Sequence, residues 1–382
     1  MMKTIDQSSI RKQNVRRILD LLSNTPEMTR NALAEQTGLS LMTVSNLVEL
    51  LKSHEVLSFA TVARTEPRAS GRKAEIITLS SEKHAWLVLE INNYNFRYTL
   101  LGFNQQTLGR GCACVNGSPD DFVDQLTAFA REIRERITAS LGGRNLLGVA
   151  IITPDSYNKD SDTLLTYHLP KKLSFTALKQ LLRENLGDYH YIADKNVKYA
   201  VRAFPVLLEH ANYPLFYFLC VGEVLGGAVM HNDSLIYGRN HSFGDAGLYS
   251  DPTGVSYDSQ LALGAFAREL GLADISYDAF RTAAESNPDR YWEVLSRFAD
   301  KTAELMAELV RHFDPDHAVI DCRYAHPFAA RYLDALREGL ARRMSGTGRV
   351  LPDFSLVPVS PSIVLSGAVH ALQLEWIEQI IN

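Results

Sequence analysis

The sequence predicts an α/β protein with a winged helix-turn-helix at its N-terminal end, followed by a two-lobed α/β body. Three observations support this fold class. Residues 29–52 read as two short helices joined at a glycine, and a basic loop between two short strands follows them. From Ala85 onward, strands alternate with helices in two successive sets, which is typical of two α/β lobes.

The predicted helix-turn-helix has well-marked helix ends, and an amphipathic helix over residues 15–22 is predicted to cover its back. Gly38 ends the first helix, because a residue without a Cβ adopts a left-handed backbone conformation at no steric cost. Ser40 caps the second helix by accepting a hydrogen bond from a free backbone N–H. The second helix carries one apolar stripe, formed by Val44, Leu47, Val48 and Leu51.

The opposite face of the second helix opens with short polar side chains, which are small enough to approach a base edge closely. In a helix-turn-helix, this helix enters the major groove by its N-terminal half. The alternative interpretation is an ordinary helical hairpin inside a globular domain. For the DNA-binding interpretation, the predicted contacts in this segment are Thr29, Arg30, Ser40, Met42, Thr43, Ser45 and Asn46.

A predicted two-stranded ribbon follows the helices, with strands over residues 55–59 and 74–79. The loop between the strands is basic and suits a position near phosphates or in a minor groove, where the potential favours guanidinium groups. The alternative interpretation is a solvated loop. The DNA contacts predicted in this wing are Arg64, Arg68, Arg72 and Lys73.

Length and composition indicate several globular domains. The chain has 382 residues, of which 46% are hydrophobic and 22% charged, and this length exceeds one ordinary core. We predict a winged helix-turn-helix over residues 1–82, a first α/β lobe over 83–200 and a second over 201–382. The closing helix of the second lobe is predicted to return toward the first lobe.

Charge is unevenly distributed along the chain. Up to Ser80 there are 11 Lys and Arg against 8 Asp and Glu, whereas the remaining residues carry 28 against 36, for a net charge of −5 overall. DNA would repel an acidic body but not a mildly basic N-terminal domain. The charge pattern therefore places nucleic-acid contact in the N-terminal domain alone.

Other features of the sequence indicate the cellular compartment in which the protein is expected to work. No run of about 18 apolar residues exists, and the first residues lack an apolar core, so neither a membrane helix nor a secretory signal is predicted. The four cysteines are too few and too scattered for a disulfide framework, which predicts a reducing cytoplasm. The close pair Cys112 and Cys114 is expected to be two small buried hydrophobic residues rather than part of a zinc site, which needs more ligands.

The body is predicted to open with three strands between residues 85 and 115, followed by an apolar strand over 145–153. A ligand would bind between the lobes, near the carboxyl ends of strands. Further strands are predicted at 189–194, within 214–238, at 317–322 and at 355–358. Helices are predicted at 120–140, 174–186, 197–208, 261–270, 291–313, 328–344 and 361–381.

Five segments in this order resemble the ROK family, which groups bacterial sugar-responsive repressors with sugar kinases. They are LVLEINNYNFRYTLLGF, GVAIITPD, IADKNVKYAV, VGEVLGGAVMHNDSLIYGRNHSFGDAGL and PSIVLSGAVHAL. The resemblance covers nearly the whole chain. It implies an actin-like (ribonuclease H-like), sugar-kinase-type body behind the winged domain.

The phosphate-binding and zinc motifs of that family are altered here. Residues 90–94 replace a glycine-rich loop, Glu223 places a carboxylate in the second loop, and residues 323–326 lack glycine at the third. We therefore expect no ATP use, no catalysis and no cofactor. Leu248 stands where the family has a zinc-binding His, and residues 251–260 contain no Cys, so no metal is expected. Losing the metal should loosen this loop or require packing in its place.

The resemblance also implies a set of sugar-binding residues. Asp194 matches the family's general base, Asn196 adds amide donors, Asp245 matches a sugar-contacting Glu, and Pro154 lies in the loop near the sugar. From the residues alone, Asp194 is also interpretable as a helix N-cap and Asp245 as a turn residue.

The resulting prediction is a cytoplasmic transcription regulator, a repressor, that binds an inverted repeat of double-stranded DNA as a homodimer or higher oligomer. A sugar or sugar phosphate would act as effector, and no membrane is involved. Two alternatives stay open. One is a ROK-type sugar kinase with a regulatory N-terminal domain, and the other is a regulator that senses a protein partner.

Overall fold

A computed structural model gives the N-terminal part of the chain as three helices and a two-stranded antiparallel sheet, here called the head (residues 7–61 and 75–82). The structure describes residues 7–61, 75–92, 95–116, 118–154, 156–158, 162–165, 174–203, 214–232, 234–357 and 363–381. The head contains α1 (Gln7–Asn24), α2 (Arg30–Thr37), α3 (Leu41–Ser53), β1 (Leu57–Thr61) and β2 (Glu75–Leu79).

Apolar side chains from all three helices and from β2 form the core of the head. The predicted apolar stripe of α3 is buried, and α1 presents its own apolar side chains at helical spacing. The strand β1 begins two residues later than predicted, because Glu55 adopts a left-handed backbone with φ 56° and cannot join the ladder. The buried residues of α1 are Val15, Ile18, Leu19 and Leu22.

The first lobe has a five-stranded sheet in the order β5-β4-β3-β6-β9, in which β3, β6 and β9 run parallel. Phe, Leu and Ile side chains from alternate strand positions pack against two helices on one face. A short hairpin, β7 with β8, was not predicted. The elements are β3 (His84–Ile91), β4 (Asn95–Gly102), β5 (Thr107–Cys114), α4 (Phe122–Leu141), β6 (Asn145–Thr153), β7 (Ser156–Asn158), β8 (Thr163–Leu165), α5 (Phe175–Asn185) and β9 (Tyr191–Lys195).

The second lobe repeats the same plan with a sheet in the order β12-β11-β10-β13-β14, whose strands β10, β13 and β14 are parallel. Apolar clusters cover both faces of this sheet. The elements are α6 (Asn196–Arg202), β10 (Leu215–Val221), β11 (Leu225–His231), β12 (Ser234–Ile236), α7 (Tyr257–Leu261), α8 (Leu263–Leu270), α9 (Tyr277–Ser286), α10 (Pro288–Phe313), β13 (His317–Cys322), α11 (Ala329–Met344), β14 (Asp353–Leu356) and the closing helix α12 (Ile363–Ile381).

The helix predicted over residues 261–270 is two helices in the structure. Ala262 has an extended backbone (φ −53°, ψ 153°), and the next backbone N–H, that of Leu263, donates to the carbonyl of Gly222 at 2.9 Å. The helix α9 was not predicted, although Ser276 caps it by accepting from the N–H of Ala279. Among the residues described, no helix is both long and apolar enough to cross a membrane.

The chain forms two compact units. One comprises Met1–Asn196 with Leu365–Asn382, and the other comprises Val197–Val364. The head, the first lobe and most of the closing helix therefore share one unit, while the second lobe forms the other.

Candidate nucleic-acid interface and ligand-binding residues

The corner of the helix-turn-helix is held by two side-chain caps and one glycine. Thr29 caps α2 through Ala32 N–H at 3.2 Å, and Ser40 caps α3 through Thr43 N–H at 3.1 Å. Gly38 has φ 69°, and a Cβ there would meet nothing within 4 Å. The glycine is therefore required by the backbone conformation rather than by space.

The N-terminal half of α3 presents an exposed surface of mixed polarity. Asn46 is exposed, Thr43 and Ser45 are half-buried, and Met42 has 77% of its surface exposed. Leu41, which was not among the predicted contacts, is 49% exposed. Polar side chains can read base edges in the major groove, and apolar ones can contact the thymine methyl group. Leu41 could have been named as a candidate contact, because it directly follows the N-cap residue Ser40, at the end of the helix that is predicted to meet the DNA.

Arg30, predicted as a DNA contact, has partners inside the head. Its guanidinium forms ion pairs with Glu49, at 2.9 Å, and with Glu75, and it lies over the ring of Phe59. These contacts tie α2 to α3 and to β2, so Arg30 has a positioning role in the head. The other predicted basic contacts, Arg64, Arg68, Arg72 and Lys73, lie outside the described residues.

The closing helix α12 contacts both the head and the first lobe, where the ring of Trp376 lies 5.3 Å from that of Phe103. His370 Nδ1 lies 3.5 Å from a carboxylate oxygen of Asp20, and the ring of Trp376 packs edge-on against that of His54 at 5.7 Å. His84, the first residue of β3, contacts the carbonyl of His54 through Nε2 at 2.9 Å. The helix α3, here called the recognition helix, therefore has a defined orientation relative to the first lobe.

Three of the predicted ligand-binding residues lie at one edge of the first-lobe sheet. Asp194 pairs in register with Ile152, and Pro154 directly follows the neighbouring parallel strand β6. Asn196 begins α6, so Asp194 lies one position before the helix N-cap. Asp194 is only 5% exposed, and its Oδ1 accepts a hydrogen bond from the N–H of Lys195 at 2.9 Å. Carboxyl ends of parallel strands are where α/β folds bind ligands.

Asp245, the fourth predicted ligand-binding residue, belongs to the second lobe. It is 9% exposed and caps a single 3₁₀ turn, Ala246–Leu248, by accepting from the N–H of Gly247 at 3.4 Å. A cavity of about 460 Å³ lies beside it, with Phe243 and Phe313 in edge contact on its wall. Asp245 is therefore a turn residue, as one interpretation of the sequence predicted, and it also lines a pocket.

Two glycines of β11, Gly226 and Gly227, lie in the segment that resembles the second phosphate loop of the kinases, and close packing requires the absence of a side chain at Gly227. A Cβ on Gly227 would lie 2.0 Å from the hydroxyl oxygen of buried Tyr217 and 2.2 Å from the carbonyl of Gly244, to which that hydroxyl donates. A Cβ on Gly226 would lie 3.3 Å from Val197. Asp321, near the end of β13, is half-buried, and the loss of solvent around it raises the pKa of its carboxyl.

Asp251 organises the loop over residues 251–260, a segment that contains no cysteine. Asp251 accepts hydrogen bonds from the N–H and hydroxyl of Thr253, from the N–H of Val255 and from the amide of Gln260, and Lys301 lies 3.6 Å away. These bonds, first that from the Thr253 hydroxyl, hold the pKa of Asp251 well below its ordinary value of 3.8. Within the described residues, no group of three or more metal-ligating side chains occurs.

We expect Asp251→Asn to lower the melting temperature of the protein at pH 7 by a few degrees. A carboxyl whose pKa is depressed by folding stabilises the fold above the pKa of the unfolded chain and loses that effect as the pH falls. The difference between wild type and variant should be constant from pH 7 to pH 5 and shrink below about pH 4. Thermal unfolding across this range measures it, and a pH-independent difference would contradict the assignment.

Comparisons with known proteins agree with these observations. A family described as winged helix-turn-helix DNA-binding matches residues 11–57. A crystal structure of a ROK family transcriptional regulator, described as a homologue of the E. coli MLC protein, is similar at 15% identity, with a TM-score of 0.69 over 97% of this chain and 99% of that chain. No curated protein sequence matches the chain.

Two solved sugar kinases are similar to about three quarters of this chain. A ROK hexokinase from Thermus thermophilus has 16% identity and a TM-score of 0.57 over 77% of this chain and 99% of that chain. A ROK family glucokinase from Streptomyces griseus, in complex with glucose and AMPPNP, has 14% identity and a TM-score of 0.56 over 75% and 98%.

The fold and the exposed recognition helix together define a protein with a winged helix-turn-helix DNA-binding domain and a two-lobed α/β body. The fold is similar to that of the solved ROK family transcriptional regulator over 97% of the chain, and the predicted fold class is confirmed.

Proposed function

We propose that this protein is a DNA-binding transcription regulator, a repressor, that reads its site with the N-terminal half of α3. The observation that carries the proposal is the capped N-terminal half of α3, in which Met42 and Asn46 are exposed while the opposite apolar stripe is buried. A helix presented in this way fits a major groove and can place side chains on base edges.

The protein would bind an inverted repeat as a homodimer. One recognition helix covers only a half-site, and strong binding needs two half-sites about one helical turn apart. The mildly basic head and the acidic remainder of the chain favour contact through the head alone.

A sugar or sugar phosphate is the proposed effector, bound near Asp194, Asn196 and Pro154 in the first lobe. A buried carboxylate at the carboxyl end of a parallel strand can accept hydrogen bonds from two hydroxyls. Because α12 holds the head on this lobe, a ligand that binds one arrangement of the lobe better would shift the orientation of the heads.

We expect Asp194→Ala to weaken binding of such a sugar by about 10–150-fold, since hydrogen bonds to a charged group contribute about 1.5–3 kcal/mol. Calorimetry with a panel of sugars and sugar phosphates on both proteins measures the effect. Asp188→Ala, which removes an exposed carboxylate ahead of the same strand, serves as the control. If the wild type binds none of the panel, the effector proposal fails.

The double substitution of Arg72 and Lys73 by alanine tests the wing. We expect the slope of log affinity for DNA against log salt to become shallower by about 1.8 for each bound protomer, and so by about 3.6 for the homodimer, because each phosphate that is no longer neutralised reduces the slope by about 0.9. A variant with Arg337 and Arg342 replaced removes the same charge from the second lobe and should leave the slope unchanged. An unchanged slope in the wing variant would show that these residues do not contact DNA.

Loss of kinase activity is part of the proposal. It is supported by the packing role of Gly227 and by the carboxylate of Glu223 at the second loop, because a carboxylate repels a triphosphate. The competing function is a sugar kinase with a regulatory head, which the position of Asp194 favours. An assay for ADP production with a panel of hexoses separates the two.

A protein effector is the second competing proposal. It is favoured by exposed apolar side chains in the second lobe, namely Phe243, Leu248 and Val255. Substitution of Leu248 by Ser should abolish capture of such a partner while leaving DNA affinity unchanged.

A further inference from the structure

Two thiols lie side by side on the edge strand β5 of the first lobe. Cys112 and Cys114 are both free and both exposed, whereas Ala113 between them packs against the core of the lobe. The expectation that they are buried hydrophobic residues is wrong, because β5 is the edge of its sheet and the described residues leave this face of the strand uncovered. Alternation along a strand places both thiols on one face.

The spacing of these thiols suits a bridging atom better than a direct bond. Residues two apart on a strand are about 6.6–6.8 Å apart, with parallel Cβ vectors. A disulfide needs its Cβ atoms at about 3.5–4.5 Å, which the strand does not provide without distortion. A metal ion between two sulfurs adds two bonds, and with the Zn–S length of about 2.3 Å as a guide the sulfurs of a linear arrangement lie about 4.6 Å apart.

We propose that Cys112 and Cys114 form a two-coordinate site for one soft, monovalent metal ion of the Cu(I) class. Thiolates select soft ions of this kind. Both thiols lose a proton to solvent on binding and no electron is transferred, so a monovalent ion with two thiolates carries a net charge of −1.

The neighbouring side chains suit this charge. Arg97 lies opposite Cys112 on β4, and its other cross-strand neighbour is Glu90, 4.0 Å away on β3. Asn95 lies opposite Cys114. Arg97 therefore stands on the same face of the sheet as Cys112, at the cross-strand position directly opposite it. In the described part of the chain, these thiols have no third and fourth metal-ligating neighbours, which a structural zinc ion would require.

Competition between the full-length reduced protein and a coloured Cu(I) chelator tests the site. We expect the wild type to take one Cu(I) per chain, and Cys112→Ser and Cys114→Ser each to lose it. Cys220→Ser, which removes the half-buried thiol of the second lobe, should retain the ion. Circular dichroism checks that each variant is folded.

Three results would overturn the proposal. The first is retention of the ion with unchanged affinity in either Cys112→Ser or Cys114→Ser. The second is a stoichiometry of one ion for two chains, which would indicate a bridge between copies of β5. The third is ready formation of a disulfide between the two cysteines in air, because the spacing along the strand disfavours that bond.

Discussion

Asn46→Ala should lower the affinity for the specific DNA site by about 5–150-fold per half-site, because a good base contact contributes about 1–3 kcal/mol. Asn46 is exposed in the first half of α3, where a recognition helix meets base edges. Fluorescence anisotropy with the selected duplex and with an unrelated duplex measures the change. The affinity for unrelated DNA should stay the same, since phosphate contacts do not depend on sequence.

Ser53→Ala provides the matched control for this prediction. Ser53 is exposed at the opposite end of the same helix and bonds to the carbonyl of Leu50. Exposed substitutions of this kind change stability by about 0.5 kcal/mol or less, so both variants should remain folded. Equal losses in the two variants, or none in Asn46→Ala, would place DNA recognition elsewhere.

Gly227→Ala should destabilise the second lobe by about 3 kcal/mol or more, because overpacking a closed core forces the backbone to move. The added Cβ would lie 2.0 Å from the hydroxyl of Tyr217 and 2.2 Å from the carbonyl of Gly244, and neither atom belongs to a flexible chain end. The expected fall in melting temperature is about 6–12 °C. Thermal unfolding of the full-length protein measures it.

Gly226→Ala is the control on the neighbouring position of β11. Its Cβ would lie 3.3 Å from the side chain of Val197, a contact that a small shift relieves, so the loss of stability should be much smaller. If instead both variants are stable, the glycines are not needed for packing. Their presence would then have to be explained by a ligand, as in the phosphate loops of kinases.

Local chemistry explains why the head was predictable from sequence. Gly38 and Ser40 act within one helical turn of their own positions, so their capping roles were inferred without knowing the fold. Thr29 also caps its helix, but it was predicted only as a DNA contact. The start of β1 was not predictable in this way, because the left-handed backbone of Glu55 has no sequence signature. The exposure of Leu41 was not predictable either, because it depends on which other elements pack against α3.

The features of the body that could not be predicted from the sequence depend on contacts between residues far apart in the chain. The break at Ala262 follows from the bond between Leu263 and Gly222, which are distant in sequence. The alternation of β5 places Cys112 and Cys114 on one face but does not reveal whether anything covers that face. Pro154 lies near Asp194 because β6 and β9 are parallel neighbours in register. The order of elements along the sequence indicated parallel strands but did not give this register.

Selection of duplexes from a random pool by the full-length protein is the decisive test of sequence reading by α3. We expect an enriched inverted repeat whose half-sites lie about 10–10.5 base pairs apart, or a multiple of that spacing, with base preferences that change when Thr43 and Asn46 are both replaced by alanine. Failure to enrich any sequence, or an identical motif from wild type and the double variant, would contradict reading by the first turns of α3.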